Sequence, residues 1–227
     1  MTRTLSEADH PTHGQHPPIQ ARAQKTRAAI LTAAATQFDA LGYAETSIST
    51  IIAAGDITKG AIYFHFTSKE AIALQLIADW NHTVGETISI TRILGSQSVT
   101  KTRILGTEST KLGQLTAIFA SLADQVTTDP ALRAGMKLTL EPSIDDDHAF
   151  SRWVEDIHSL VEEAITAGEL DNHPAAHRLA WNLCTGTVGA AHAHTTTPHN
   201  TELATRIDDT VAAHLIAAQR RSSNATR

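Results

Sequence analysis

Residues 57–66 read ITKGAIYFHF and hold three of the chain's ten aromatic residues together with a lysine and a histidine. These residue types suit contact with a polyanion. The Thr58 hydroxyl bonds a phosphate while capping a helix. Lys59 offers a mobile positive charge to a phosphate or a guanine edge. Gly60 has no side chain, so a backbone can approach closely there. Tyr63, one helical turn from Lys59, reaches a phosphate or a thymine methyl, or else packs a partner helix. His65 either donates to a phosphodiester backbone or is structural. Thr46, Ser47 and Ser49 lie around the start of a second short helix, where hydroxyls meet phosphate. Arg22, Lys25 and Arg27 open a preceding helix and supply flanking charge. Ile62, Phe64 and Phe66 are expected in the core.

Thirteen histidines raise a rival chemistry. His173 and His177 share a helical face, His192 and His194 stand close by, and Asp145, Asp146, Asp147 and His148 form a run. No zinc-hydrolase motif, nucleophile elbow, phosphate loop or dinucleotide fingerprint accompanies them. These groups read as surface or structural residues. Neither cofactor nor metal is expected, and a metal-dependent enzyme is the remote alternative.

The elements that must position the first set are helical. Ala, Leu, Ile and Thr are plentiful, aromatics are 4% of the chain and strand-like alternation is scarce. The apolar fraction of 41% supports a real core. Cys184 is the single cysteine, which fits a reducing, cytoplasmic setting and excludes an internal disulfide. No apolar run approaches a membrane span, so no membrane partner is expected. Residues 1–70 balance six Lys/Arg against six Asp/Glu, whereas residues 71–227 hold twelve against eighteen. The net charge of −6 therefore lies behind the front segment, which is free to present a basic face.

Residues 1–20 read as a disordered tail. A helix over 22–41 carries Ile30, Ala34, Phe38 and Leu41 on one face, and Gly42 closes it. A short helix spans 47–54, Gly55 makes a left-handed turn, and Thr58 caps another helix over 58–64. Thr67 and Glu70 form a capping box that starts a helix over 68–90, with Ile72, Leu76 and Trp80 inward. Residues 91–98 (TRILGSQS) and 102–109 (TRILGTES) read as a tandem duplication, and Gly95 and Gly106 argue against a helix through it. Further helices are expected over 110–127, from Asp129-Pro130 to 140, over 148–167, from Pro174 to 194 and over 201–220, with a fraying tail at 222–227. This gives an all-α chain: an N-terminal three-helix helix-turn-helix DNA-binding domain over 21–67, and a larger helical domain over 68–221.

Residues 25–77 resemble the DNA-binding region of TetR-family repressors. The likeness rests on Phe38, Gly42, Tyr43, Thr46, Ser47, Ile48, Gly60, Ile62, Tyr63, His65, Phe66, Lys69 and Glu70 at the family's spacing. The form TKGAIYFHFTSKE is similar to that of the γ-butyrolactone receptor subfamily, regulators of antibiotic production in actinobacteria. The resemblance implies a bacterial, nucleoid-associated repressor that binds a double-stranded, pseudo-palindromic operator as a homodimer. For the larger helical domain over 68–221 it implies ligand binding and dimerisation. It adds Lys69 to the expected DNA-binding residues. It also implies release by a small lactone, butenolide or furan. The alternative within regulation is a pseudo-receptor that answers to antibiotics or their intermediates, or to no ligand.

Segments 129–142 and 150–157 resemble the same subfamily, which makes Trp153 the implied pocket-lining indole. Thr187, with Thr185 as alternative, is the implied hydroxyl partner of the ligand. Trp80 stands where the subfamily carries a pocket glutamine, a departure that would shrink or reshape the site. The duplication follows close behind it. Gly186, Gly189, Ala190 and Ala191 are expected to permit close helix approach in a dimer.

Overall fold

The computed structural model describes residues 19–102, 110–196 and 202–220. Residues 1–18 of the expected N-terminal tail, the C-terminal tail and nearly all of the second duplicated copy, with Gly106, lie outside the described residues, while Ile19 and Gln20, expected in the tail, are helical. Ten α-helices and no strand occur among the described residues. No helix there is long and apolar enough to cross a membrane.

The first helix, α1 (Ile19–Glu45), buries Ile30, Ala34 and Phe38 along one stripe. Leu41 is in phase with that stripe but half-exposed, because it falls in the last turn before the break at Gly42. Gly42 adopts φ 81°, a left-handed conformation that glycine takes without steric cost. Next, α2 (Ile48–Gly55) is started by Ser47, whose Oγ accepts from Thr50 N at 3.1 Å while Thr50 Oγ1 accepts from Ser47 N at 2.9 Å. The left-handed residue after α2 is Asp56, at φ 48°, not Gly55 as the sequence suggests. Gly55 is small for a different reason: a Cβ there would lie 2.9 Å from Ala33 Cβ and closer still to Ile57. The third helix is α3 (Lys59–His65), and its N-cap Thr58 Oγ1 accepts from Ala61 N at 3.1 Å. α3 is thus shifted by one residue from the expected 58–64, and His65 ends the helix rather than following it.

α4 (Lys69–Thr102) begins on Ser68, whose Oγ accepts from Ala71 N at 3.0 Å. The expected Thr67–Glu70 box is replaced by this cap one residue later. The helix continues through the first duplicated copy, against expectation. Gly95 does not break it. A Cβ there would meet Gln114 Nε2 at 2.6 Å, so the glycine lets the following helix approach. That helix is α5 (Lys111–Thr128), capped by Thr110. The short α6 (Pro130–Leu138) has Asp129 as cap and proline at its first position. α7 (Ala149–Thr166) is followed by Gly168, at φ 74°. The helix expected from Pro174 is divided into α8 (Pro174–His177) and α9 (Leu179–Thr196), and α10 (Leu203–Arg220) closes the described chain.

Two apolar clusters organise these helices. One joins α1, α2 and α3 to Ile72, Ala73, Leu76 and Ile77 of α4 and to Ala134 and Leu138 of α6. The other is built from the rest of α4 with α5, α7, α9 and α10. Helices α4 and α6 therefore contribute to both halves. Their own contact is close, since a Cβ on Gly135 would sit 2.3 Å from Leu76 O. α1 is tied to α6 by a buried ionic knot. Asp39 accepts from Arg133 Nε at 3.0 Å and from Lys137 Nζ at 3.1 Å, and Lys137 also donates to Asp39 O and to Thr195 Oγ1 of α9.

Candidate nucleic-acid interface and buried aromatic site

The packing of α3 decides which of its residues face outward. Ile62 is fully buried and Phe66, just past the helix, is nearly so. They hold the helix on its bundle, as expected. Thr58, Lys59, Gly60 and Tyr63 are all exposed. Lys59 Nζ lies 6.0 Å from the centroid of the Tyr63 ring, so charge and phenol form one patch. A Cβ at Gly60 would meet nothing within 4 Å, so the fold itself does not require glycine there.

Phe64 departs from the expected core position. It is 79% exposed and meets His65 edge-on at 4.9 Å between centroids. The signal was available in helical geometry: Phe64 is two residues, about 200°, from Ile62, whereas Phe66 returns to the same side. An exposed aromatic beside Tyr63 extends the patch and is the residue that sequence reasoning missed. His65 is half-buried.

The remaining expected DNA contacts separate into two groups. Ser47 and Ser49 are exposed at the start of α2, Ser47 as its cap. Thr46 is buried, and its hydroxyl donates to Gly42 O at 2.7 Å, so it braces the turn rather than facing a phosphate. Lys69 likewise turns inward. Its Nζ donates to Tyr43 O at 2.8 Å and Thr46 O at 2.9 Å, and sits 3.9 Å from the Tyr43 ring centroid. It fastens the start of α4 to the α1–α2 turn, a positioning role in place of direct contact. Arg27 lies over the Phe66 ring at 5.1 Å.

The expected ligand residues are interior. Trp80 and Trp153 are fully buried and meet edge-on with centroids 5.1 Å apart. Neither indole Nε1 has a hydrogen-bond partner. Leaving a buried donor unpaired costs about 1–3 kcal/mol, so two such groups in contact form a place where an acceptor would be stabilised. Phe119 and Phe150 surround Trp153, and Phe150 also meets the half-exposed Trp181 at 5.3 Å. Thr187 is fully buried and donates to Leu183 O at 2.8 Å. Thr185 donates to Trp181 O one turn away. Two open clefts lie elsewhere. One of about 500 Å³ between α5 and α10 is lined by Leu112, Val211 and Leu215, and one of about 410 Å³ between α4 and α5 by Ile90, Leu94 and Gln114. None of the four expected ligand residues lines either cleft.

The small residues expected at a dimer face are partly used within the chain. A Cβ on Gly186 would meet Thr210 Cγ2 of α10 at 2.7 Å, and Ala191 is buried in the core. Gly189 alone of the four is exposed. Nor do the histidine clusters converge as the sequence spacing suggests. His173 caps α8, its Nδ1 accepting from Ala175 N and Ala176 N, and its Nε2 faces Ala218 O. Burial holds the Cys184 thiol well above its ordinary pKa, so it is no nucleophile.

Comparison with known proteins agrees with this geometry. Residues 30–76 match the model of the family described as bacterial regulatory proteins, tetR family. Over 65 residues the chain is 49% identical to the A-factor receptor protein of Streptomyces griseus. That match covers 29% of this chain and only 24% of that protein. The crystal structure of TylP, a TetR regulator from Streptomyces fradiae, is 30% identical with a TM-score of 0.57, and the match covers 86% of each chain. A gamma-butyrolactone receptor described as ArpA-like superposes with a TM-score of 0.64 at 25% identity, covering 88% of this chain and 99% of that one. An N-terminal helix-turn-helix followed by a larger helical body is what these proteins share with it: the chain belongs to the TetR family of bacterial transcriptional regulators, is similar within it to the gamma-butyrolactone receptors, and is a regulator rather than an enzyme.

Proposed function

We propose that the chain is a ligand-responsive repressor that binds a pseudo-palindromic DNA operator as a homodimer and leaves it when a small lactone, butenolide or furan binds. The observation that carries this reading is the α3 patch. Lys59, Gly60, Tyr63 and Phe64 are outward-facing, and none of the four is buried in the core. One seven-residue helix reads few bases, so two copies on two half-sites supply the specificity. The half-exposed Trp181 of α9 and Ile216 of α10 are apolar surface available for that pairing.

The ligand reading is supported by the two unpaired indole N–H groups of Trp80 and Trp153. A lactone carbonyl accepts from an indole, and its alkyl chain suits the surrounding aromatic and aliphatic walls. Entry requires the two rings to part, which displaces α4 at Trp80. Eleven residues earlier on the same helix, Lys69 grips the α1–α2 turn. At about 1.5 Å per residue the two points are some 16 Å apart on one rigid element. Helix α6 provides a second link, resting on Leu76 and holding Asp39 of α1. A ligand with higher affinity for the displaced state shifts the population and changes the spacing of the two α3 helices.

A mobility-shift assay on DNA upstream of the chain's own gene tests this. Wild-type protein is expected to retard the fragment, Lys59→Ala and Tyr63→Ala to lose at least tenfold in affinity, and lactones to release the wild type. Equal release of Trp153→Ala would remove the tryptophan site and leave the α4–α5 cleft beside Gln114, whose Oε1 is also buried without a partner, as the place to look.

A further inference from the structure

Away from both of these regions, α7 and α8 bring three metal-ligating side chains together. Glu162 follows His158 by one helical turn on α7, and α8 delivers His177 across from them. One ligand atom from each lies within 4.8 Å of the other two. The pairing differs from the His173–His177 spacing visible in the sequence, because His173 is engaged as the α8 cap.

With a neutral imidazole, the protons around His177 do not close on their own. Its Nδ1 faces Glu162 Oε1 at 2.9 Å and its Nε2 faces Asn172 Oδ1 at 2.8 Å. A neutral imidazole has one N–H and cannot donate to both oxygens. If Nε2–H serves Asn172, a nitrogen lone pair points at a carboxylate oxygen, which is repulsive unless a positive charge lies between them. A ligating histidine whose second nitrogen donates to an oxygen is the usual arrangement beside a metal ion. A second observation points to the same spot. His158 Nδ1 is shielded from solvent, has no hydrogen-bond partner, and lies 3.5 Å from that same Glu162 oxygen. Donor atoms on a tetrahedral zinc, each about 2.0–2.1 Å from the ion, are about 3.3 Å apart, and the two N···O separations bracket that figure.

We propose that His158, Glu162 and His177 form a binding site for a divalent transition-metal cation of the zinc class. Two imidazoles and a carboxylate suit such an ion better than magnesium or calcium. All three side chains are roughly half-exposed, so water takes the fourth position. The ion clasps α7 to α8 immediately ahead of α9, where His173 also reaches Ala218 O of α10. It therefore fixes the approach to the last two helices. This site stands independently of the operator and ligand assignments, and it departs from the expectation that the histidines are surface or structural residues with no metal.

Chelator-treated full-length protein titrated with zinc alone, by calorimetry, tests the proposal, with cobalt as a visible-absorption probe of tetrahedral coordination. His10, His13 and His16 are competing binders, so their triple alanine variant is measured alongside. Wild type and that variant are expected to share one saturable site. His177→Ala, His158→Ala and Glu162→Gln are each expected to weaken it at least tenfold with unchanged helicity by circular dichroism. Asn172→Ala should weaken it about 10–100-fold through loss of the oxygen that orients His177. Absence of a saturable site in the wild type would overturn the proposal. So would undiminished affinity in Glu162→Gln and His177→Ala, which would leave a protonated imidazole on a carboxylate.

Discussion

At the scale of single residues, α3 shows how much of an exposed face the sequence declares. Thr58, Lys59, Gly60 and Tyr63 stand at motif positions and are exposed in the fold. Phe64 escaped because aromatic density in YFHF suggested a core, while a seven-residue helix has room for only one buried stripe, filled by Ile62. Thr46 and Lys69 escaped for the opposite reason. Their types suit phosphate, yet the backbone oxygens of Gly42, Tyr43 and Thr46 claim them, and no residue spacing reveals that. The distinction has consequences for substitution. Phe64→Ala should leave the melting temperature nearly unchanged and lower DNA affinity, whereas Ile62→Ala should cost about 2–5 kcal/mol of stability. Calorimetric melting beside DNA titration separates the two, and a Phe64→Ala variant that melts early with normal DNA affinity would return Phe64 to the core. Lys59→Ala should also reduce the slope of log affinity against log salt by about one.

At the scale of elements, the coupling between halves was hidden from the sequence. Caps and prolines marked most helix ends correctly, as at Asp129-Pro130 and Gly42. They said nothing of the 94-residue separation between Asp39 and Arg133, which tertiary packing alone closes. Breaking a buried ion pair by removing one partner costs about 3–5 kcal/mol, since the other charge is left uncompensated. Asp39→Ala strands both Arg133 and Lys137, so it should lower stability on that order in chemical denaturation. Its double variant with Lys137→Met should recover part of the loss. His192 adds a pH dependence to the same region. Burial, then the Lys137 ammonium, lowers its pKa below the ordinary 6.5, with Asp39 opposing. The folded chain thus binds fewer protons there than the unfolded one. Stability contributed by the neutral ring is present above 6.5 and is lost as pH falls toward the lowered value. His192→Gln should flatten that part of a melting-temperature profile between about pH 5 and 7.

At the scale of the whole molecule, the charge partition makes sense of an acidic protein with a DNA-binding end. The balanced first seventy residues carry the exposed α3 face, and the surplus of acid lies in the larger helical body. The fold class was legible because helix formers, caps and loop signals agree along the chain. The path of α4 through Gly95 was not, since the Gln114 side chain that makes glycine useful there belongs to another helix. The tryptophan pair was half legible: the resemblance pointed to Trp80 and Trp153 separately, and only the fold shows them in contact with both N–H groups unpaired. The measurement closest to the central claim is fluorescence anisotropy of a labelled duplex carrying a palindrome from upstream of the gene, read as protein and then a panel of lactones, butenolides and furans are added. The account predicts saturable binding of two chains per duplex, weakened by Lys59→Ala, and release by at least one member of the panel. Failure to bind any upstream palindrome at low salt would contradict it, and tight binding that no ligand of these classes relieves would remove its ligand half.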